Sequence, residues 1–337
     1  MGSGRAYFMT GALGCIGAWI VKRLVERGDR PVAFDLSGDR RRLDAILPPD
    51  ALDSVRFVRG DITDGDQVRQ ALERSGADRV IHLAGLQVPS CRSDPAAGAR
   101  VNVIGTLNVF EAVRALGLGG VVYASSAAVF GLADEAVDES VAPAPLTHYG
   151  VFKQTNEGNA RVYFLDCGLS SVGLRPFSVY GVGRDSGLTS DPTRAMKAAV
   201  VGRPFHIRFS GTTDFIHVND VAAAFVACAD AAPPGAHVFN LHGETMTVDA
   251  IVRVIDRHLP AASRGVITFG GPSIPMPPAL DDTALRSLLS DLPRTALEDG
   301  VRDTIDRFAA LSDAGRLDTA DIDELAGAVP AVPERSQ

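Results

Sequence analysis

MTGALGCIGAWI, residues 9–20, decides how this chain is read. A short apolar run from Ala6 to Met9 leads into it, and Ile16, Ile20 and Leu24 follow at helical spacing. Gly11, Gly14 and Gly17 therefore fall on the turn from a strand into a helix. Glycine suits such a turn for three reasons: the bend is sharp, a pyrophosphate must come close to the backbone, and helix must pack tightly on sheet. Cys15 and Ile16 lie in the same turn, where the helix N-terminus offers unpaired N–H groups to phosphate oxygens. A dinucleotide site is the expectation.

Working outward, strand-sized apolar runs recur at Val32 to Phe34, Val55 to Val58, Val80 to Leu83, Val121 to Ala124 and Ser171 to Leu174, with helical periodicity between them. This alternation predicts an α/β fold, a Rossmann-type doubly wound parallel sheet with its ligand crevice at the carboxyl ends of the strands. The expected cofactor domain spans 1–178, with a return segment near 212–243 that includes HVFNL at 237–241. A smaller C-terminal substrate-binding lobe is expected from 179–211 and 244–325, and a disordered tail at 326–337. Asp35 closes the second run in PVAFDLSG. A carboxylate there accepts hydrogen bonds from ribose hydroxyls and repels a 2′-phosphate, so NAD is expected over NADP. Arg40 to Arg42 read as a solvated helix face, though in principle within reach of such a phosphate.

Composition narrows the function. The 337 residues carry a net charge of −8, which argues against nucleic-acid partners and anionic membranes. No apolar stretch is long enough to span a bilayer and no leader is evident, so a cytoplasmic protein is expected. The four cysteines form no CxxC pair and the seven histidines show no ligand spacing, so no metal is expected. His82, among apolar residues on a strand, reads as a packed structural histidine.

Only three lysines occur, and Lys153 follows Tyr149 by four residues in HYGVFK, on one face of a helix. A cation within about 4 to 5 Å favours the phenolate of a tyrosine whose free pKa is about 10. Tyr149 could then exchange a proton with a substrate hydroxyl during hydride transfer, and Lys153 could also hold the nicotinamide ribose. Ser125 and Ser126 follow the fifth strand at the same rim, where a hydroxyl can orient the reacting oxygen.

With these residues in view, the sequence resembles the extended short-chain dehydrogenase/reductase family, in its NAD-dependent epimerase/dehydratase group. The likeness runs through TGALGCIG, GDITD, HLAG, NVIGTLNVFEA, SSAAVFG, YGVFK, LRPFSVYG and DFIHVNDVA. It implies Ser126, Tyr149 and Lys153 as catalytic residues. It implies Asp61, Ile62, Leu83, Ala84, Gly85, Asn102, Ala124, Pro176 and Phe177 at the cofactor, and a homodimer. Dehydratases of the group resemble TDE where this chain has Ser126-Ala127-Ala128, so dehydration is not expected. Nucleotide-sugar members place an Arg before the DF pair and an Asn before VYG, where this chain has Thr213 and Ser178, and no third Arg is evident in PPALDDTALRSLL. Losing such charge-assisted contacts predicts a smaller substrate without a nucleotide, a sugar, sugar acid or polyol, for a net dehydrogenase. A sugar or nucleotide-sugar epimerase passing through a transient ketone is the alternative, followed by a non-catalytic NAD sensor. Gln87, Ser90, Ser126, Ser178 and Arg184 are the candidate substrate contacts.

Overall fold

The computed structural model describes residues 4–326, with side chains to 323. Its main sheet contains β1 (Ala6–Thr10), β2 (Arg30–Asp35), β3 (Arg56–Arg59), β4 (Arg79–His82), β5 (Gly120–Ala124) and β6 (Ser170–Arg175). The smaller sheets use β7 (Ser178–Tyr180), β8 (Phe205–Ile207) and β9 (Thr212–His217). After these come β10 (Ala236–Asn240), β11 (Glu244–Thr247) and β12 (Ile267–Phe269). The main sheet has the order β3-β2-β1-β4-β5-β6-β10, with every pairing parallel.

All five residues of β1 are buried, as a central parallel strand covered on both faces requires. Its side chains alternate between two cores: Tyr7 and Met9 point to one, Ala6 and Phe8 to the other. The first core is roofed by α1 (Cys15–Glu26), with α2 (Arg41–Asp44) at its end. The second lies under α3 (Gly65–Ser75) and, beyond the short α4 (Val88–Ser93) and α5 (Pro95–Ala99), under α6 (Gly105–Ala115) and α7 (His148–Cys167). Strand order reverses between β1 and β4, which opens a crevice at their carboxyl ends.

The smaller lobe holds α8 (Asp191–Val200), two small sheets and, after α9 (Val218–Ala231), α10 (Val248–His258), α11 (Thr283–Leu288), α12 (Leu297–Asp313) and α13 (Ala320–Ala326). The return expected at 212–243 divides. β9 joins β7 and β11 in a three-stranded sheet, whereas α9 packs on α1 and β10 completes the main sheet beside β6. β9 therefore lies outside the main sheet because its neighbours are β7 and β11, not β6. The tail expected at 326–337 lies, apart from residue 326, outside the described residues. Among the described residues, no helix is long and apolar enough to cross a membrane.

Candidate active site

One cleft of about 650 Å³ runs along the carboxyl ends of β1, β2, β4 and β5. Its first half is backbone. Gly11 has φ +67°, and a Cβ there would lie 2.5 Å from the Ala84 nitrogen; a Cβ on Gly17 would lie 2.4 Å from the Gly11 carbonyl oxygen. A side chain at either position would fill the turn. The N-terminus of α1 has no side-chain cap and no acidic residue in its first turn, an arrangement that favours an anion there. The Cys15 thiol at that terminus is pushed up to about 11 by burial, so it stays protonated at neutral pH. Asp35 accepts hydrogen bonds from the Leu13 and Ser37 nitrogens, each at 3.0 Å, leaving carboxylate lone pairs toward the cleft. This cradle suits a dinucleotide diphosphate and ribose. Asp61, Ile62, Leu83, Ala84, Gly85, Ala124, Pro176 and Phe177 all line the same cleft.

The second half carries the polar constellation. Ser126 caps a 3-10 turn at Ala127–Val129, its Oγ accepting from the Ala128 nitrogen at 3.1 Å, so its O–H remains free to donate. Ser125 differs: it is buried and donates to Glu157. Helix α7 starts at a Thr147 cap, and a Cβ on Gly150 would lie 2.1 Å from the Ala128 carbonyl oxygen. Gly150 therefore lets the first turn of α7 sit against the turn that carries Ser126, which sets Tyr149 beside the serine. Sequence reasoning missed this role, although the glycine stands in plain view in YGVFK.

Lys153 is buried one turn on, with Nζ 5.5 Å from the Tyr149 ring centroid and donating to the Ala124 carbonyl oxygen at 2.7 Å. Burial brings its ammonium down to about 8, against the opposing pull of Cys91 and Glu157. Burial also pushes the Tyr149 phenol above its ordinary value; the Ser126 hydroxyl and the Arg184 guanidinium pull it back. Lys153 thus gives a hydrogen bond to the Ala124 carbonyl oxygen, while the charge of Arg184 adds to the groups that favour the phenolate. His82 lies between Thr10 and Thr106, and burial lowers it to about 3, a neutral structural histidine.

Gln87 and Arg184 also reach the cleft. Three expected residues do not. Asn102 is buried behind the wall, its amide donating to the Leu86 and Gly98 carbonyl oxygens, so it braces the loop after β4. Ser90 is carried onto the exposed side of α4. Ser178 is fully buried and its hydroxyl pairs with that of Thr213 at 2.9 Å, so the two positions where arginine and asparagine were missed satisfy each other. Arg42 is no solvated side chain: it lines the cleft and forms a bidentate pair with Asp185. Sequence reasoning also missed Leu146, Leu188 and Ile274 to Met276, an apolar wall gathered from distant segments without a local signal. Among the described residues, no cluster of three or more His, Cys, Asp or Glu could hold a metal ion.

The family model of the NAD dependent epimerase/dehydratase family matches residues 7–241. A UDP-glucose 4-epimerase of Mycolicibacterium smegmatis is 30% identical over 89% of this chain and 97% of its own length. A solved UDP-glucose 4-epimerase of Thermus thermophilus, in complex with NAD, superposes with a TM-score of 0.78 at 25% identity, covering 90% of this chain and 98% of that one. MoeE5 in complex with UDP-glucose and NAD gives a TM-score of 0.76 at 29% identity, again over 90% and 98%.

Proposed function

The chain belongs to the NAD-dependent epimerase/dehydratase family, and we propose that it is an epimerase inverting a secondary alcohol of a nucleoside diphosphate sugar through a transient ketone. The observation that carries this reading is one continuous cleft in which the glycine cradle adjoins Ser126, Tyr149 and Lys153. Relatives and structural neighbours named for UDP-sugars support the nucleotide handle over the free sugar or polyol expected from sequence. Gly11, Gly14, Gly17 and Asp35 would hold NAD, which supplies a reversible hydride acceptor when bound. Tyr149 takes the proton from the sugar hydroxyl and returns it to the ketone oxygen, Ser126 orients that oxygen, and Lys153 holds a ribose hydroxyl. Ala127 and Ala128 line the cleft at the positions where the resemblance to dehydratases puts an acid pair, which supports epimerisation over elimination. Exposed Val151, Val162 and Leu165 on α7 support a homodimer.

A second reading, a substrate without a nucleotide, draws on the buried Ser178–Thr213 pair and the apolar Ile274 to Met276 wall. One experiment separates the two. The protein is incubated with UDP-glucose and UDP-glucuronate, epimers are followed by proton NMR, and UDP binding is measured by calorimetry. Epimer formation without net NADH, with UDP bound at micromolar strength, is expected. NADH accumulating from a free sugar, with no UDP binding, selects the second reading.

A further inference from the structure

Arg42 and Asp35 grip the same residue of the glycine turn from opposite sides. The Leu13 N–H donates to Asp35 Oδ2 at 3.0 Å, and the Leu13 carbonyl oxygen accepts from Arg42 Nη1 at 3.1 Å. The guanidinium therefore stands one peptide unit from the carboxylate that marks the ribose position. A cation so placed is well situated to receive a phosphate on the ribose 2′-oxygen.

It is already engaged. Arg42 Nε donates to Asp185 Oδ2 at 2.9 Å and Nη2 to Oδ1 at 2.7 Å, so with the Leu13 contact three of its five N–H donors are used within the protein, two of them on one carboxylate that neutralises its charge. The pair is largely shielded, with side chains 22% and 13% exposed. Burial pushes the Asp185 carboxyl up, but the adjoining guanidinium outweighs it and holds the group below its ordinary value, so the pair stays ionised. The neighbouring arginines are used elsewhere: Arg40 lies over the Phe57 ring, and Arg41 pairs with Asp39 and Asp318.

We infer that Asp185, 143 residues from its partner in sequence, is a specificity-determining residue that keeps Arg42 from serving a 2′-phosphate and so holds the cofactor site to NAD. Asp35 repels such a phosphate, and Asp185 removes the charge that would compensate. The two carboxylates act on the same ligand oxygen from distant parts of the chain: one by standing beside it, the other by occupying its counter-ion. The inference rests on the reading of the cleft as a dinucleotide site.

The test is nucleotide retention by the full-length protein. Wild type and variants are equilibrated with equimolar NAD and NADP, freed of unbound nucleotide by gel filtration, and the retained species are quantified by chromatography. Asp185→Asn is expected to raise the retained NADP:NAD ratio about tenfold, the equivalent of one charge-assisted hydrogen bond. Adding Arg42→Met should abolish the rise, and Arg42→Met alone should keep the ratio low. Asp185→Ser carries the same expectation should the Asn variant be insoluble. An Asp185 variant that retains NAD with an unchanged ratio overturns the inference, as does a rise that survives Arg42→Met. Wild type that retains neither nucleotide overturns the dinucleotide reading itself, and the inference with it.

Discussion

The two halves of the cleft are built by different means. The cofactor half rests mainly on backbone: its glycine turn and helix end, with the Asp35 carboxylate, fall within residues 9–35, and Asp61 and the ends of β4 and β5 stand beside them. The substrate half is made of side chains delivered by the turn at Ser126, the start of α7, the loop carrying Arg184 and the segment Ile274 to Met276. Backbone positions tolerate almost nothing, because a single methyl closes them; side-chain positions tolerate exchange as long as neighbouring polar groups remain paired, as Ser178 and Thr213 do. The first half thus fixes the cofactor, and the second carries the proton chemistry and is free to choose the substrate.

Substitution separates the halves most sharply at the tyrosine. Tyr149→Phe is expected to lower turnover by about 10²- to 10⁴-fold, the worth of a positioned proton carrier, with NAD retention unchanged. Turnover within a few-fold of wild type would dissolve the distinction, since the substrate half would then hold no chemistry. Gly17→Ala should do the reverse. Its methyl, 2.4 Å from the Gly11 carbonyl oxygen, forces the turn apart; NAD affinity should fall about 10- to 100-fold, from an overpacking cost of roughly 1–3 kcal/mol. Titration with NAD checks this, and wild-type affinity would mean the cradle is looser than its geometry. The smallest effect concerns Lys153, which stands at the junction. Its ammonium is charged below about pH 8 and neutral above, so kcat/KM should decline as pH rises through that value. A profile flat to pH 10 would show that its charge serves neither half.

The same contrast explains what the sequence disclosed. The turn, Asp35, and the Tyr149–Lys153 pair depend on offsets of a few residues, and periodicity exposes them directly. The serine at the rim was legible too, although its distinction from Ser125 was inferred from family resemblance; in the structure Glu157 engages Ser125 and leaves Ser126 to the cleft. Asn102 misled because an amide serving backbone carbonyls looks, in sequence, like one serving a ligand. Ser178 with Thr213, and Arg42 with Asp185, join segments far apart in the chain, and no local pattern announces them. The placement of β9 failed for a related reason: a strand's sequence states its period, not its neighbours.

The late arrival of β10 has a consequence for synthesis. Until it docks, β6 is the edge of the main sheet, with its outer row of N–H and C=O groups unpaired. The residues that close that edge leave the ribosome about 65 positions after β6, a delay of roughly 3 to 13 s at ordinary elongation rates. Throughout that interval the nascent chain carries a nearly finished sheet whose edge at β6, opposite the edge at β3, still lacks its last strand. The protein is most exposed to mispairing and to chaperones in the seconds before β10 docks on the main sheet.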